Sequence, residues 1–338
     1  MSKPPSNWQK SITGEWHGYP SVFEPDGTHV GWNKVYRSST HEDGQTTYRM
    51  DTDLDVRGAL RARFEARDFE FGVRDSDGDR IYLGPDFLGA GQPYGRLVDA
   101  RYYSPAWGAD LRTMVHILPD GKTQVYSSLL YDGPNICAVF NGLYEVAHDY
   151  PQNPETKKTI DAFVAQEKAQ GNRPHVLPFK NAGSWVGTMQ VYTADQKYIG
   201  EAEVTVDYRP LDLLRAEVTM RATGAITLNA SYVRARNGYH HTYQGPDVFG
   251  NGMAYGRALY TTQHFVDSSV RIEGREFIID DEWSMSKVWC LHQHGRPSHT
   301  LFGLFKWNPG EAVLKAGYGE GRGTHAPTIE IQSPPSDT

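Results

Sequence analysis

The feature that most constrains this chain is a fifteen-residue stretch that occurs twice in it. Residues 82–96 read YLGPDFLGAGQPYGR and residues 243–257 read YQGPDVFGNGMAYGR, 161 positions further on, with nine of the fifteen residues identical. Internal duplication at a fixed spacing is the signature of an architecture built from repeated units. We therefore expect two similar units that follow one another in the 338-residue chain.

The duplication extends through most of each half. At the same spacing Ile117 matches Ile278, whereas upstream GEWHG at 14–18 matches GSWVG at 183–187 at a spacing of 169. The first copy thus carries eight additional residues between its two motifs. We expect these residues to lengthen a hairpin around His41 to Leu60.

Each copy consists of short segments in which apolar and polar residues alternate. Examples are TTYRMDTDL in the first copy and EAEVTVDY and LLRAEVTMRA in the second. Alternation with a period of two, interrupted by a turn about every ten residues, is typical of antiparallel β-strands. Turns are indicated at Pro119–Gly121 and at Asn237-Gly238, because these residues tolerate positive φ. The predicted fold class is therefore all-β.

One clear helix is predicted between the two copies. Asn153 can cap its N-terminus, Pro154 suits the first helical position and Gly171 can end it. Its apolar face comprises Ile160, Phe163 and Val164. The resulting division is a first unit over residues 1–146, a helix and linker over 147–182, a second unit over 183–320 and a flexible tail over 321–338.

Charge and cysteine content limit the partners and the location. The formal net charge of -7 argues against a nucleic-acid groove or an anionic membrane surface, since both require clustered Lys and Arg. Only Cys137 and Cys290 are present, without CxxC spacing, which favours a reducing cytoplasm. No apolar run suits a signal peptide or a membrane span. We expect a cytoplasmic protein that binds a small molecule, without nucleic-acid binding or membrane insertion, and its oligomeric state stays open.

The GxWxG motif at the start of both copies, followed by an antiparallel meander, resembles the lipocalin or calycin superfamily. The whole chain looks like a tandem lipocalin-like protein. This resemblance implies two consecutive closed antiparallel β-barrels of about eight strands, each able to hold an apolar ligand. It also implies that Trp16 and Trp185 close the narrow ends. Because such barrels include both carriers and cofactor-free enzymes, the resemblance implies no particular activity.

The glycines of the repeated stretch could suggest a nucleotide-binding loop. Such loops run from a strand directly into a helix whose amide groups meet the phosphate. Here LVDARYYSP and ALYTTQHFV follow, and both read as strands. We therefore interpret the stretch as a wide turn at a barrel rim, and no cofactor is expected.

Alternation along the strands after the repeated stretch predicts an inward-facing arginine in each copy. The face predicted to point inward, and to contact a ligand, comprises Arg96 and Tyr102 in the first copy and Arg257 and Gln263 in the second. A buried arginine requires an oxygen partner, and Asp86 and Asp247 are available in the same stretches. Each arginine is thus either a brace that closes its barrel or a group that holds a ligand oxygen.

Histidine is enriched in the second copy and provides candidates for proton transfer. His241 and His292 are the predicted general acid or base, because imidazole exchanges a proton near neutral pH. Arg257 with Tyr255 or Tyr243 is assigned to polarise an oxygen of the substrate, with Asp247 as the available partner of Arg257. Trp283 and Trp289 are assigned to an apolar wall. A metal site of His292 and His294 with His240 or His241 is an open alternative, although no metal is expected.

Two functions are compatible with these patterns. The first is a cofactor-independent enzyme that isomerises, cyclises, hydrates or dehydrates an apolar small molecule held in a barrel. The alternative is a non-catalytic carrier of a hydrophobic ligand such as a pigment, terpenoid or fatty acid. A carrier needs neither acid nor base, so replacement of the two histidines distinguishes the hypotheses.

Overall fold

The structure is a computed structural model that describes residues 5–64, 67–75, 78–175, 181–280 and 284–312. Within these ranges the chain forms two antiparallel β-barrels in succession, with one helix between them. The predicted all-β class, with two consecutive barrels joined by a short helix, is therefore confirmed. Two sequence-based predictions, the tail at 321–338 and the wall residue Trp283, lie outside the described residues.

The first barrel closes through a strand that is split in two. Both β1 (Gly14–Gly18) and β2 (Ser21–Phe23) pair with the same two neighbours, β3 (His29–Glu42) and β11 (Asn135–Val146). Pro20 lies between them and has no N–H to continue the ladder. The barrel thus has ten positions rather than about eight. Its other strands are β4 (Gln45–Val56), β5 (Arg67–Asp75), β6 (Arg80–Leu83), β7 (Leu88–Tyr94), β8 (Leu97–Ser104), β9 (Ala109–Ile117) and β10 (Thr123–Asp132).

The second barrel is a continuous meander of ten strands that closes where its first and last strands pair. The strands are β12 (Asn181–Thr193), β13 (Tyr198–Pro210), β14 (Arg215–Gly224), β15 (Leu228–Asn237), β16 (His240–Gln244), β17 (Val248–Tyr255), β18 (Ala258–Phe265), β19 (Val270–Ile278), β20 (Ser284–Gln293) and β21 (Arg296–Ala312). At the closure Trp185 lies directly opposite Trp307, with ring centroids 5.4 Å apart. Both predicted hairpin turns are present, with φ of 68° at Gly121 and 61° at Gly238.

The eight additional residues of the first copy lie after β4. The hairpin between β3 and β4 is tight, since only Asp43 and Gly44 connect the strands and both have positive φ. Residues 57–66, between β4 and β5, instead match two residues of the second copy and include the short helix α2 (Ala59–Arg63). The predicted lengthening of a hairpin around His41 to Leu60 is therefore wrong.

The connecting helix, α3 (Pro154–Gln170), has the predicted bounds. The Asn153 side chain accepts hydrogen bonds from the first-turn amides, and Gly171 follows the last turn. Its apolar face packs between the barrels, where Phe163 joins Leu143 of the first barrel and Phe277 of the second in one buried cluster. No described helix is long and apolar enough to span a membrane.

A further helix, α1 (Asn7–Ile12), precedes the first barrel and was not predicted. The Ser6 side chain caps it by accepting a hydrogen bond from the amide of Gln9. Its six residues bury Trp8 and Ile12 against inward-facing residues of the barrel. Such a short helix depends on this packing, because isolated helices of this length are unstable in water.

Candidate functional site

A cavity of about 90 Å³ lies in the lumen of the first barrel. At one end α1 covers it, since Trp8 and Ile12 pack against Val98 and Val115. At the other end Trp107 lines it and contacts Phe64, which follows α2, with ring centroids 5.3 Å apart. The eight additional residues of the first copy therefore help to close this end of the barrel.

Nine of the 21 side chains that line the cavity are aromatic. They are Trp8, Tyr48, Phe71, Tyr82, Phe87, Tyr102, Trp107, Tyr126 and Tyr144. The rings of Tyr48 and Phe71 stack with an angle of 6° between them, and Phe87 meets Tyr102 edge-on at 5.1 Å. Six of the nine lie on strands, where residues of the same parity face the lumen, while Trp8 lies on α1 and Phe87 and Trp107 lie in connections. The wall thus offers flat apolar surfaces to a ligand.

The end of the cavity near α1 is polar. Gln9 Oε1 accepts a hydrogen bond of 2.7 Å from the Tyr48 hydroxyl and one of 3.2 Å from Arg80 Nη2. Arg80 also donates to the Tyr48 oxygen at 3.1 Å. These buried bonds attach α1 to the barrel wall and fix the side chains around the cavity.

A second arginine lines the same cavity. Arg37 Nη2 donates to Gln124 Oε1 at 2.9 Å, and the guanidinium lies 5.9 Å from the Trp16 ring and 5.6 Å from the Tyr144 ring. Arg37 and Arg80 are the only charged side chains among the described lining residues, which include no Asp, Glu, Lys or His. The cavity is therefore electropositive in a protein of negative net charge.

Four of the cavity phenols, those of Tyr48, Tyr102, Tyr126 and Tyr144, remain protonated at neutral pH. Burial raises the pKa of Tyr48 and Tyr126, and raises those of Tyr102 and Tyr144 well above the ordinary value. Desolvation has this effect because it disfavours the charged phenolate. These tyrosines can donate hydrogen bonds to a ligand, but they are not bases near pH 7.

Two buried polar atoms on uncharged side chains of the cavity wall have no hydrogen-bond partner among the described residues. They are the indole Nε1 of Trp107, a donor, and Oδ1 of Asn33, an acceptor. The side chains are 6% and 3% exposed, respectively. Buried polar atoms are seldom left unpaired, so these two favour a polar group or a water inside the cavity.

The lumen of the second barrel contains an ionic cluster instead. Glu276 Oε1 lies 2.8 Å from Lys287 Nζ, and its other oxygen lies 3.3 Å from His175 Nε2 and 4.0 Å from Arg234 Nη1. Burial alone raises the pKa of Glu276, but Lys287 and the other partners hold it well below the usual value. The first copy has Val115, Tyr126 and Val73 where the second has Glu276, Lys287 and Arg234.

The two predicted acid–base residues lie on opposite faces of the second barrel's wall. His241 is inside, where its Nδ1 accepts a hydrogen bond of 3.1 Å from Arg234 Nε. Burial, and then the charge of Arg234, lower the pKa of His241 to about 2. His292 is outside, with its Nε2 3.7 Å from Glu273, which pairs with Arg112 of the first barrel. A shared acid–base or metal site of His241 and His292 is therefore excluded by their positions.

Arg257 does not point into the lumen, contrary to the alternation pattern. It lies in the two-residue turn between β17 and β18, where the strand periodicity ends. Its Nη2 is 2.6 Å from Glu167 Oε2 of α3, so Asp247 is not its partner and is exposed. Tyr255 also faces the first barrel, and its hydroxyl donates to the Pro25 carbonyl at 3.1 Å.

Arg96 occupies the matching turn of the first barrel and is exposed. Its Nη1 donates to the Leu118 carbonyl at 2.7 Å, so the prediction that it faces the lumen is wrong for the same reason as for Arg257. Asp86 lies 3.4 Å from Arg67 and not beside Arg96. The remaining predicted residues are inside a barrel: Tyr102 in the cavity of the first, and Tyr243, Gln263 and Trp289 in the lumen of the second.

Sequence reasoning missed Arg37, Gln9 and the part played by Arg80. The residues it predicted for proton transfer are histidines of the second copy, whereas Arg37 and Arg80 lie in the first. A comparison of charge at every inward position would have shown that the second lumen contains acidic and basic residues where the first has apolar or aromatic ones. Gln9 gave no such signal, because it precedes the duplicated region.

Fold and cavity together define a double β-barrel protein whose first barrel has an aromatic-lined, electropositive lumen. Among the described residues, no group of three His, Cys, Asp or Glu side chains could hold a metal ion. No protein-family model matches the chain, and no curated protein matches it.

Solved structures are similar to the chain in fold. A protein with unknown function from the DUF3598 family, from Nostoc punctiforme PCC 73102, matches 90% of this chain and 99% of its own, with a TM-score of 0.57 and 13% identity. At this identity the similarity shows the fold alone. A putative outer membrane protein from Bacteroides fragilis (89% and 99% covered, TM-score 0.24, 9% identity) and kievitone hydratase from Nectria haematococca (91% and 96%, 0.17, 9%) are too distant to support an argument.

Proposed function

We propose that the protein is a lipocalin-like binder that holds a small aromatic molecule in the cavity of its first barrel. The observation that carries this proposal is the cavity wall, in which nine side chains are aromatic. Flat rings contact such walls over a large area, and sites of this kind are typical of small-molecule pockets. The chain itself thus supplies both the apolar wall and the hydrogen-bond donors that a ligand requires.

The size of the cavity restricts the ligand. An apolar cavity of about 150 Å³ accommodates benzene, so 90 Å³ is less than one ring requires without adjustment of the wall. A single-ring molecule can be admitted by small shifts of α1 and its side chains. A fatty acid, terpenoid or larger pigment requires much more space, and a one-ring ligand therefore replaces these in the proposal.

Binding without catalysis is favoured over the enzymatic hypothesis. No lining residue in the described part of the chain is a carboxylate or an imidazole, and the phenols with raised pKa values are not bases at pH 7. An isomerisation or cyclisation that needs no base remains the alternative, because Arg37 could stabilise negative charge that develops on a ligand oxygen.

We further propose that the protein needs no cofactor and acts in the cytoplasm. Its two cysteines, Cys137 and Cys290, are both free thiols, which supports a reducing location. The negative net charge supports a small-molecule ligand rather than a nucleic acid or an anionic membrane surface.

A cavity-filling substitution tests the site. Ala100 lines the cavity, whereas Ala90 is exposed on the outside of the same barrel, so A100L and A90L make the same chemical change in two environments. We expect ligand-observed NMR to show binding of phenol and benzoic acid derivatives to the wild type and to A90L, but not to A100L. Equal binding by A100L and the wild type would place the ligand elsewhere.

A second experiment distinguishes a carrier from an enzyme. Native and heat-denatured protein are incubated with a cell extract from the source organism, and bound and free compounds are compared by mass spectrometry. A carrier retains a compound unchanged. Loss of a compound together with growth of an isomer, or of a species that differs by one water, would show catalysis.

A further inference from the structure

We propose that the ligand of this cavity is an aromatic hydroxy acid, with its carboxylate at Arg37 and its hydroxyl at Trp107 and Asn33. The inference rests on the proposed function and adds the chemical class of the ligand. Three observations carry it: an arginine without a carboxylate partner, a pair of unpaired polar atoms, and their separation along the barrel.

The contacts of the Arg37 guanidinium are with neutral groups. Its guanidinium bonds to the neutral amide of Gln124 and lies near the rings of Trp16 and Tyr144. Among the described residues no carboxylate comes within ion-pair distance of it. A guanidinium in an apolar site is stabilised by a carboxylate, which it can bind through two parallel hydrogen bonds.

The rest of the lining reinforces this preference for a negative group. Arg80 adds a second positive charge, and no lining residue in the described ranges is acidic. The protonated phenols of Tyr102 and Tyr144 are potential donors but not anions. A ligand cation would be repelled by both guanidinium groups, whereas an anion would be attracted by them in a medium of low dielectric constant.

The opposite end of the cavity suits a hydroxyl. Trp107 offers an unpaired N–H and Asn33 an unpaired carbonyl oxygen, and both side chains are more than nine-tenths buried. A hydroxyl group can accept one hydrogen bond and donate another, so its chemistry matches a donor and an acceptor. A carboxylate at this end would leave Asn33 Oδ1 facing an acceptor.

The two ends are separated along the barrel. Arg37 lies opposite Trp16, whose indole donates at 3.1 Å to the Ile12 carbonyl at the end of α1. Asn33 lies opposite Leu54, which belongs to the same buried cluster as Trp107. Four residues of strand β3 span about 13 Å between the Cα atoms of Asn33 and Arg37. Once the wall has adjusted to admit a ring, substituents at opposite positions of that ring can point toward these two positions.

A set of four ligands tests both ends on the unmodified protein. The ligands are 4-hydroxybenzoate, benzoate, 4-hydroxybenzamide and benzamide, with Kd values from NMR titration at pH 7. We expect each acid to bind about tenfold more tightly than its amide, the difference expected for a charge-assisted hydrogen bond. We also expect each hydroxylated ligand to bind several-fold more tightly than its counterpart.

Two variants assign these preferences to residues. In R37Q the acids and amides should bind equally, while the preference for the hydroxyl remains. In N33L the preference for the hydroxyl should decrease, while that for the acid remains. A purely structural role of Arg37 would lower the affinities for all four ligands by the same factor, and that result would overturn the assignment.

The outcomes separate this inference from the proposed function. Equal affinities of acids and amides for the wild type would overturn the hydroxy-acid proposal and leave aromatic binding intact, even if neither variant folds. Failure of all four ligands to bind, together with failure of phenol, would overturn the proposed function as well.

Discussion

Glu167 of the connecting helix and Arg257 of the second barrel form a buried ion pair, with 2.6 Å between Oε2 and Nη2. The same carboxylate oxygen accepts a hydrogen bond of 3.2 Å from the amide of Leu143 in the first barrel. Arg257 also donates to the Ile279 carbonyl at 3.2 Å and lies 4.7 Å from the Phe277 ring. A single carboxylate therefore joins α3 to both barrels, and Arg257 acts as a brace.

The first prediction concerns this brace. E167Q leaves a buried guanidinium without a counter-charge, so we expect the free energy of unfolding in urea to fall by about 3 kcal/mol. The same change in an exposed position of the helix, E155Q, should cost less than about 1 kcal/mol through the helix dipole. The double variant E167M/R257M should recover much of the loss. Equal stabilities of E167Q and E155Q would contradict the role of the pair.

The second prediction concerns access to the cavity. Q9L removes the acceptor of the Tyr48 hydroxyl and weakens the attachment of α1, which should cost about 1–3 kcal/mol. Hydrogen exchange in residues 7–12 and the association rate of a ligand should both increase. S11A, at an exposed position of the same helix, should change neither. Unchanged association in Q9L would mean that ligands do not pass α1.

The third prediction concerns the two histidines. H241A and H292A should leave the affinity of the cavity for 4-hydroxybenzoate within about twofold, because both residues belong to the second barrel and neither lines the cavity. H241A should still lower stability, since it leaves Arg234 Nε without its acceptor. A large loss of affinity in either variant, measured under conditions in which the variant is fully folded, would indicate that the ligand binds in the second barrel.

The fourth prediction is a loss of stability in mild acid. Burial, and then the charge of Lys34, lower the pKa of His17 to about 4, and burial with the charge of Arg96 does the same for His116. Unfolded histidine takes up its proton near pH 6.5, so the unfolded state binds more protons between about pH 6.5 and 4. The stability due to neutral histidine is complete above pH 6.5 and decreases by up to about 1.4 kcal/mol per pH unit for each residue.

His116 provides the test of this pH dependence. Its Nδ1 lies 2.8 Å from Ser286 Oγ of the second barrel, so it also joins the barrels. H116Q retains a hydrogen-bonding side chain. In this variant the dependence of the free energy of unfolding on pH between 6.5 and 4 should decrease by the equivalent of about one bound proton. The check is urea denaturation at several pH values. An unchanged slope would show that His116 is not responsible.

Much of the fold could be predicted because it depends on local patterns. Alternation indicated the strands, Gly121 and Gly238 indicated their turns, and Asn153 indicated the start of the connecting helix. Helix α1 was missed because its six residues are too few to form a periodic pattern and depend on burial against the barrel.

The candidate site was less predictable, since strand alternation stops at turns. Within β18 alternation placed Gln263 correctly in the lumen. It failed for Arg257, which lies in the turn directly before β18 and whose partner on α3 is 90 residues away in the sequence. The sequence also did not show that His241 and His292 lie on opposite faces of the barrel wall. The face on which each side chain lies depends on the register of its own strand, and the two strands are distant in sequence.

The sequence by itself determined that the chain contains two similar all-β units with a helix between them, because duplication, alternation and capping are properties of neighbouring residues. Only the tertiary structure decided that the first unit encloses the aromatic-lined cavity. That depends on which side chains face each lumen: in the second, Lys287 and Arg234 pair with Glu276, while α1 and α2 close the first around aromatic rings. Such filling is set by contacts between strands and helices distant in sequence, which no local pattern encodes.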